Sequence, residues 1–504
     1  MIKLSEKAAK RWDILMVLYA AAAVSYQVLY LIAPIKAFLN LSGLSVLSSG
    51  LAVGGALLLL IDFFTQQHCL KVTYGYVLIA TLAVLGISSV VHIGTGFANN
   101  VKVLIWQAVQ MLLVYGVYRR LSAAGARVFM RTMHTAFTAV YVPAVLVAFY
   151  QFVFQKGYAL VVDSTGGINR QGFLEGRLFG PFTSVHFVSV FLAVMAVGAL
   201  YFATKTKRVW LKVLYVTEVV LFFIYIVLSG TRSVFVAMAL AVFAACFMIF
   251  KEQLLAIKNG GLKYLTVVIL SLVAGGCLLL AVKTADTQLK KIPVYVQEQQ
   301  AQQTTTTTVG TTTSTDDEGD PTTESTTSTA PTTTTTKPIV LNRDDGQVDI
   351  SNNRFKIWGD YVSVTIDSVK TLLFGSSPGE YMNVIRENYP EKYIVTYIRD
   401  KYPNMYEQNL IYDTHNGYLS VFVSGGVVCV LVFGFFLVLI AVRVIKKVCG
   451  KQPLSPSFVA LLTMLILILV ATFFDSDVFF KCTSTSMLFW LLLGFMVKEL
   501  KPQE

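Results

Sequence analysis

Apolar residues in this chain fall in runs of about 20 positions separated by short polar stretches, the length a helix needs to cross about 30 Å of hydrocarbon. Runs at 14–34, 43–64, 72–92, 101–118, 135–155, 182–203, 210–229, 232–250, 264–282, 416–442, 457–474 and 483–497 predict twelve transmembrane helices. None alternates in the way a barrel strand would. The weakest is 101–118, which carries Lys102 and Gln107. The pattern predicts an all-α polytopic membrane protein of about 12 transmembrane helices with one large extracytoplasmic loop. Residues 1–282 hold helices 1–9, residues 283–415 form the loop, and residues 416–504 hold helices 10–12.

The distribution of charge orients these helices. With the N-terminus inside, seven short segments face the cytoplasm: 1–12, 65–71, 119–131, 204–212, 251–263, 443–451 and 498–504. They hold 22 of the 41 Lys and Arg, whereas the longer stretch 283–413 holds 12 against 18 Asp and Glu. The positive-inside rule then sets both termini in the cytoplasm. Residues 1–23 have the form of a signal peptide, but the apolar run continues to Pro34, so an uncleaved signal anchor is expected. In a variant lacking the six native cysteines, a cysteine placed at Gln297 or Asp345 is expected to react with an impermeant thiol reagent on intact cells, and one at Ala124 is not. Labelling at position 124 would invert the orientation.

Composition removes other classes. Only 14% of the 504 residues are charged, against about 25% in soluble domains, which excludes a soluble enzyme, a disordered scaffold and a nucleic-acid binder despite the formal charge of +12. The six cysteines, at 69, 246, 277, 429, 449 and 482, form no CxxC pair and avoid the long loop, so neither a disulfide framework nor a zinc site is expected.

Within the loop, 19 of the 33 residues in 304–336 are Thr, a composition that cannot bury a core and reads as a disordered spacer. The part from 354 to 413 reads as structured. Trp358, Tyr361, Val362, Thr365, Ile366, Val369, Leu372 and Leu373 recur at helical spacing before Gly375 and Pro378. Two readings stand: an amphipathic helix lying on the outer surface, or a small domain packing on itself. Seven tyrosines follow between 381 and 412, suited to a membrane interface and to stacking on sugars.

Four polar groups fall at the outer ends of the predicted helices: Arg177 before helix 6, Arg232 in the turn between helices 7 and 8, Arg354 opening the amphipathic segment, and His415 at the start of helix 10. Arg binds phosphate oxygens bidentately, and His is the usual general base near neutral pH. Together they suit a clamp for a lipid diphosphate beside a base, which is the equipment of glycosyl transfer from a lipid-linked sugar. Asp475-Ser476-Asp477 has the DxD form of nucleotide-sugar sites but lies in an external turn, where nucleotide sugars are absent. His92, His134 and His186 read as satisfied residues near helix ends, and Gly425-Gly426 as a site of close helix packing.

The order of motifs resembles the O-antigen ligase and polymerase superfamily. The blocks are Arg177-Leu-Phe-Gly-Pro-Phe182, Ser229-Gly-Thr-Arg232, Asn353-Arg354-Phe-Lys-Ile-Trp358 leading to Leu373-Phe-Gly-Ser-Ser-Pro-Gly379, and His415-Asn-Gly-Tyr-Leu419 followed by Gly425-Gly426. The chain departs from the family's frequent forms at Ser184-Val185-His186, at Thr231 and at Ser424. The resemblance implies a C-type glycosyltransferase-like architecture that uses an undecaprenyl-diphosphate-linked glycan donor and a glycan acceptor, with no cofactor and no metal. It maps His415 to the catalytic base and Arg177, Arg232 and Arg354 to the diphosphate; Arg170, Asn416, Tyr418 and Trp358 are candidate substrate contacts. Membrane lipids and a chain-length regulator are the expected partners, and a Gram-positive plasma membrane the expected location. Polymerisation of lipid-linked repeat units of a capsular, exo- or wall polysaccharide is the leading reading. A ligase acting on a lipid, wall or protein acceptor, a twelve-helix secondary transporter and a non-catalytic membrane scaffold stand as alternatives.

Overall fold

The computed structural model describes residues 5–44, 46–94, 96–161, 168–253, 260–299 and 353–500. The Thr-rich stretch 304–336 lies outside them. The helices before the loop are α1 (Glu6–Leu29), α2 (Ala33–Leu41), α3 (Val46–Phe64), α4 (Gly75–Val91), α5 (Phe97–Ala108), α6 (Val117–Arg120), α7 (Ala123–Val153), α8 (Val185–Lys205), α9 (Val209–Ser229), α10 (Arg232–Gln253) and α11 (Gly260–Leu289). The loop contains α12 (Arg354–Thr365), α13 (Val369–Phe374), α14 (Tyr381–Asn388), α15 (Tyr393–Lys401) and α16 (Pro403–Glu407). α17 (Gly417–Cys449), α18 (Pro456–Thr472) and α19 (Ser484–Glu499) close the chain.

A helix occupies each predicted apolar run. Among the described residues nine are long and apolar enough to cross a membrane, while α4, α18 and α19 are shorter, and the chain is a polytopic membrane protein. α19 needs no such length, because every side chain from Ser484 to Val497 is buried by protein. Around it Tyr115, Phe436 and Trp490 meet with ring centroids about 6 Å apart. Past the predicted run 264–282 the chain stays helical: α11 continues to Leu289, and after a turn at Lys290 helix resumes up to Gln299.

The weak run at 101–118 has a structural cause. α5 passes into a π-helical segment, Val109–Val114, before α6. The amides of Gln107 and Gln110 both donate to the carbonyl of Lys481, at 3.3 and 3.0 Å, and Ser486 donates to Gln110. The polar residues that lower its hydropathy therefore face a protein loop. Local π geometry of this kind is frequent where a helix serves a site.

A sheet departs from an all-α reading, and the loop takes one of its two expected forms. Gly157–Val161, Ile168–Leu174 and Arg177–Gly180 form a three-stranded antiparallel sheet, β1-β2-β3, between α7 and α8. The loop is also not one surface helix. Ser368 caps α13 and breaks the segment after Thr365. Ile357, Tyr361 and Val364 of α12 instead join Tyr381, Ile385, Ile394, Val395, Ile398 and Ile411 in a second core, so the loop packs on itself. A residual apolar face remains outside that core: Phe355, Ile366 and Val369 are 70, 55 and 72% exposed.

This domain is joined to the bundle by backbone contact. α17 is kinked at Gly426, whose φ of 66° and ψ of −169° are open essentially to glycine alone. A Cβ there would collide with the backbone of Leu373 and Phe374, and one on Gly375 would collide with Ser424 and Gly425. Ser376 N donates to Val423 O at 2.7 Å, and Ser88 Oγ donates to Ser424 O at 3.0 Å, so groups released by the kink find partners. Gly425-Gly426 thus serves close approach, but to a loop backbone and at the cost of helix continuity.

Candidate functional site

The predicted residues converge where α8, α10 and α17 begin and α18 ends. His415 lies just before α17 in a left-handed conformation, φ +47°, uncommon for a residue other than glycine. The preceding chain is held from the loop domain: Tyr361 donates to Tyr412 O at 2.6 Å, and the Trp358 indole donates to Thr414 O at 2.8 Å. Behind it, Asn416 caps α17 by accepting from the backbone N–H of Tyr418 and Leu419, both at 3.0 Å. His415 is therefore presented from a rigid turn, with its side chain one-third exposed.

The acidic partner of His415 is Asp475, from the loop between α18 and α19. Asp475 Oδ1 lies 3.8 Å from His415 Nδ1, and Oδ2 lies 3.7 Å from His186 Nε2. These are ion-pair rather than hydrogen-bond distances. His186 Nδ1 is 3.1 Å from the hydroxyl of Ser233, the residue after Arg232. Burial pushes the Asp475 carboxyl up, but the nearby imidazoles of His415 and His186 prevail and hold it below its ordinary value. It stays ionised at neutral pH. With Nδ1 towards Asp475, Nε2 is the His415 nitrogen on the far edge of the ring.

Cations surround this pair. The charges of Arg354, His415 and Arg177 all act on His186, which places them in one cluster. Arg177 is oriented by its Nε, which donates to Ser229 O at 3.0 Å, and its guanidinium lies over Phe179 at 5.7 Å. Gly230, with φ +63°, makes the turn that delivers Arg232 to the first position of α10. Arg177, Arg232, Arg354 and His415 therefore share one end of the bundle.

The loop bearing Asp475 is fixed from beneath. Besides accepting from Gln107 and Gln110 at its carbonyl, Lys481 pairs with Asp413 at 3.0 Å and donates to Tyr381 at 2.9 Å. Burial opposes ionisation of Asp413, but Lys481 and Tyr381 outweigh it and bring its carboxyl down to about 2. That pairing stabilises the fold above the unfolded carboxyl's range, near pH 4, and is lost as pH falls through about 2.

Other expected contacts are placed differently. Asn416 is buried and occupied as a helix cap. Tyr418 donates its hydroxyl to Leu469 O at 3.0 Å and packs on Phe479. Trp358 packs between Phe355 and Phe473. Arg170, on β2, pairs with Glu175 at 3.0 Å and lies outside the His–Asp cluster. Asp475 and His186, dismissed from the sequence, stand at its centre. The signal available was the DxD turn itself, two acidic residues directly after the apolar run 457–474. His92 and His134 do find partners away from the site, Ser88 O at 3.0 Å and Glu218 at 3.3 Å.

Residues 217–434 match a family model described as O-antigen ligase. The resemblance to the O-antigen ligase and polymerase superfamily thus holds over a stretch containing Arg232, Arg354 and His415. Arg177, His186 and Asp475 lie outside it. A search of curated proteins finds no significant match.

Proposed function

We propose that this membrane-embedded transferase moves a glycan from an undecaprenyl-diphosphate donor to a sugar hydroxyl at the outer face of the plasma membrane. The reading that best fits is polymerisation of lipid-linked repeat units into a capsular, exo- or wall polysaccharide. The observation that carries it is the His415–Asp475–His186 cluster set among Arg177, Arg232 and Arg354. The O-antigen ligase match supports glycan transfer as the reaction class.

In this mechanism the acceptor oxygen attacks the anomeric carbon from the face opposite the diphosphate. The new C–O bond forms as the bond to the diphosphate oxygen breaks. The hydroxyl proton passes to His415 Nε2, and the bonding electrons leave with the diphosphate, whose charge the guanidinium groups receive. Asp475 balances the imidazolium. One displacement inverts the anomeric centre and forms no glycosyl-enzyme. A ligase would use the same steps with a lipid, wall or protein acceptor.

The test is polymer formation by the purified protein from lipid-linked repeat units. Arg354→Lys and Arg232→Lys are expected to lose most activity, because an ammonium cannot reproduce the bidentate fork. Activity is expected to survive EDTA, since guanidinium groups fill the role of a metal at the leaving group. Full activity in both Lys variants, or loss with EDTA that added Mg²⁺ restores, would overturn the clamp.

A further inference from the structure

His415 stands between two walls of different chemistry. One is ionic, made of Asp475, His186 and the arginines. The other is aromatic: the Tyr412 ring centroid lies 5.9 Å from that of His415. Tyr412 is one corner of a triangle with Tyr397 and Tyr402, whose centroids are 6.1, 6.2 and 6.3 Å apart. Tyr361 and Tyr381 are fully buried in the loop domain, whereas Tyr397, Tyr402 and Tyr412 are only partly buried, at the rim nearest His415. Core packing accounts for the first two and leaves open ring surface on the other three.

Resting on the transfer reaction proposed above, we infer that the Tyr397–Tyr402–Tyr412 rim is the acceptor subsite and binds a pyranose ring of the incoming glycan. A sugar offers apolar C–H faces ringed by hydroxyls, and a tyrosine edge supplies the matching pair, a π-face and a phenol. The departing diphosphate belongs with the guanidinium groups. The hydroxyl that loses its proton must come within hydrogen-bonding reach of His415, and the aromatic wall is the uncharged surface beside that ring. The charge of Arg170, on β2, acts on Tyr412. Its pair with Glu175 offers donors and acceptors suited to sugar hydroxyls. Arg170 thus serves the acceptor and not the diphosphate.

The probe is the delipidated repeat unit, released by mild acid from the lipid-linked glycan that cells lacking this chain accumulate. Its binding to the purified full chain is followed by saturation-transfer NMR, with undecaprenyl diphosphate binding measured alongside. Tyr402→Leu and Tyr412→Leu are expected to weaken glycan binding about tenfold while diphosphate binding stays unchanged. Tyr402→Phe and Tyr412→Phe, which keep ring and packing, are expected to bind glycan within about threefold of wild type. Leu variants that bind glycan as wild type does would overturn the subsite. Should the Leu variants misfold, Arg170→Ala, expected to weaken glycan alone, decides, and unchanged glycan binding there would overturn the subsite. A wild-type chain that polymerises lipid-linked units yet loses nothing in these variants sinks this inference and leaves the transfer reaction standing. Cells that accumulate no lipid-linked glycan would remove both.

Discussion

Replacing His415 with alanine is expected to slow transfer by about 10² to 10⁴, the usual worth of a general base, while the lipid-linked donor still binds. In the proposed mechanism the donor's diphosphate engages guanidinium groups, which this substitution leaves in place. A second variant separates chemistry from folding, because His415 holds a left-handed backbone, φ +47°. His415→Asn keeps a residue at ease in that conformation but supplies no base, so it should fold at least as well as the alanine variant and be as slow. The measurement is the single-turnover rate with purified protein and lipid-linked repeat units, with donor binding determined separately. A folded variant that polymerises at the wild-type rate would remove His415 from the reaction.

Asp475→Asn should lower kcat by a comparable factor and leave the KM for donor nearly unchanged. The carboxylate faces His415 and His186 at 3.8 and 3.7 Å and remains ionised at neutral pH despite its burial. An amide carries no charge to balance an imidazolium formed in the transition state, and can turn its NH₂ towards Nδ1 and favour the wrong tautomer. Asp475→Glu, which restores the charge at a different reach, should recover part of the rate. An Asn variant with wild-type kcat would show Asp475 to be structural only.

The sequence made the membrane-spanning frame legible because lipid imposes a coarse rule of long apolar runs with basic loops between them. The same rule hid the sheet at 157–180, whose short strands flanked by glycine carry no membrane signature. Hydropathy marks where an apolar run ends rather than where backbone hydrogen bonding ends, so it does not reveal that α11 continues to Leu289. Arg177, Arg232, Arg354 and His415 were legible as charges at the ends of apolar runs. Asp475 and His186 were not, because their meaning depends on three loops far apart in sequence closing on one point. Asn416 shows the converse: adjacency to His415 suggested a substrate contact, whereas its side chain holds the start of α17.

The contact of Gly375 with Gly425, and of Gly426 with Leu373, makes the chain between them an insertion whose two ends coincide. It contains the tyrosine rim and His415, and shares its core with Ile357, Tyr361 and Val364 of α12. If the rim reads the sugar, a new preference would be installed by changing rim residues within this closure while keeping the carboxylate for Lys481 and the two glycines at the crossing, where even a methyl group would force the strands of chain apart.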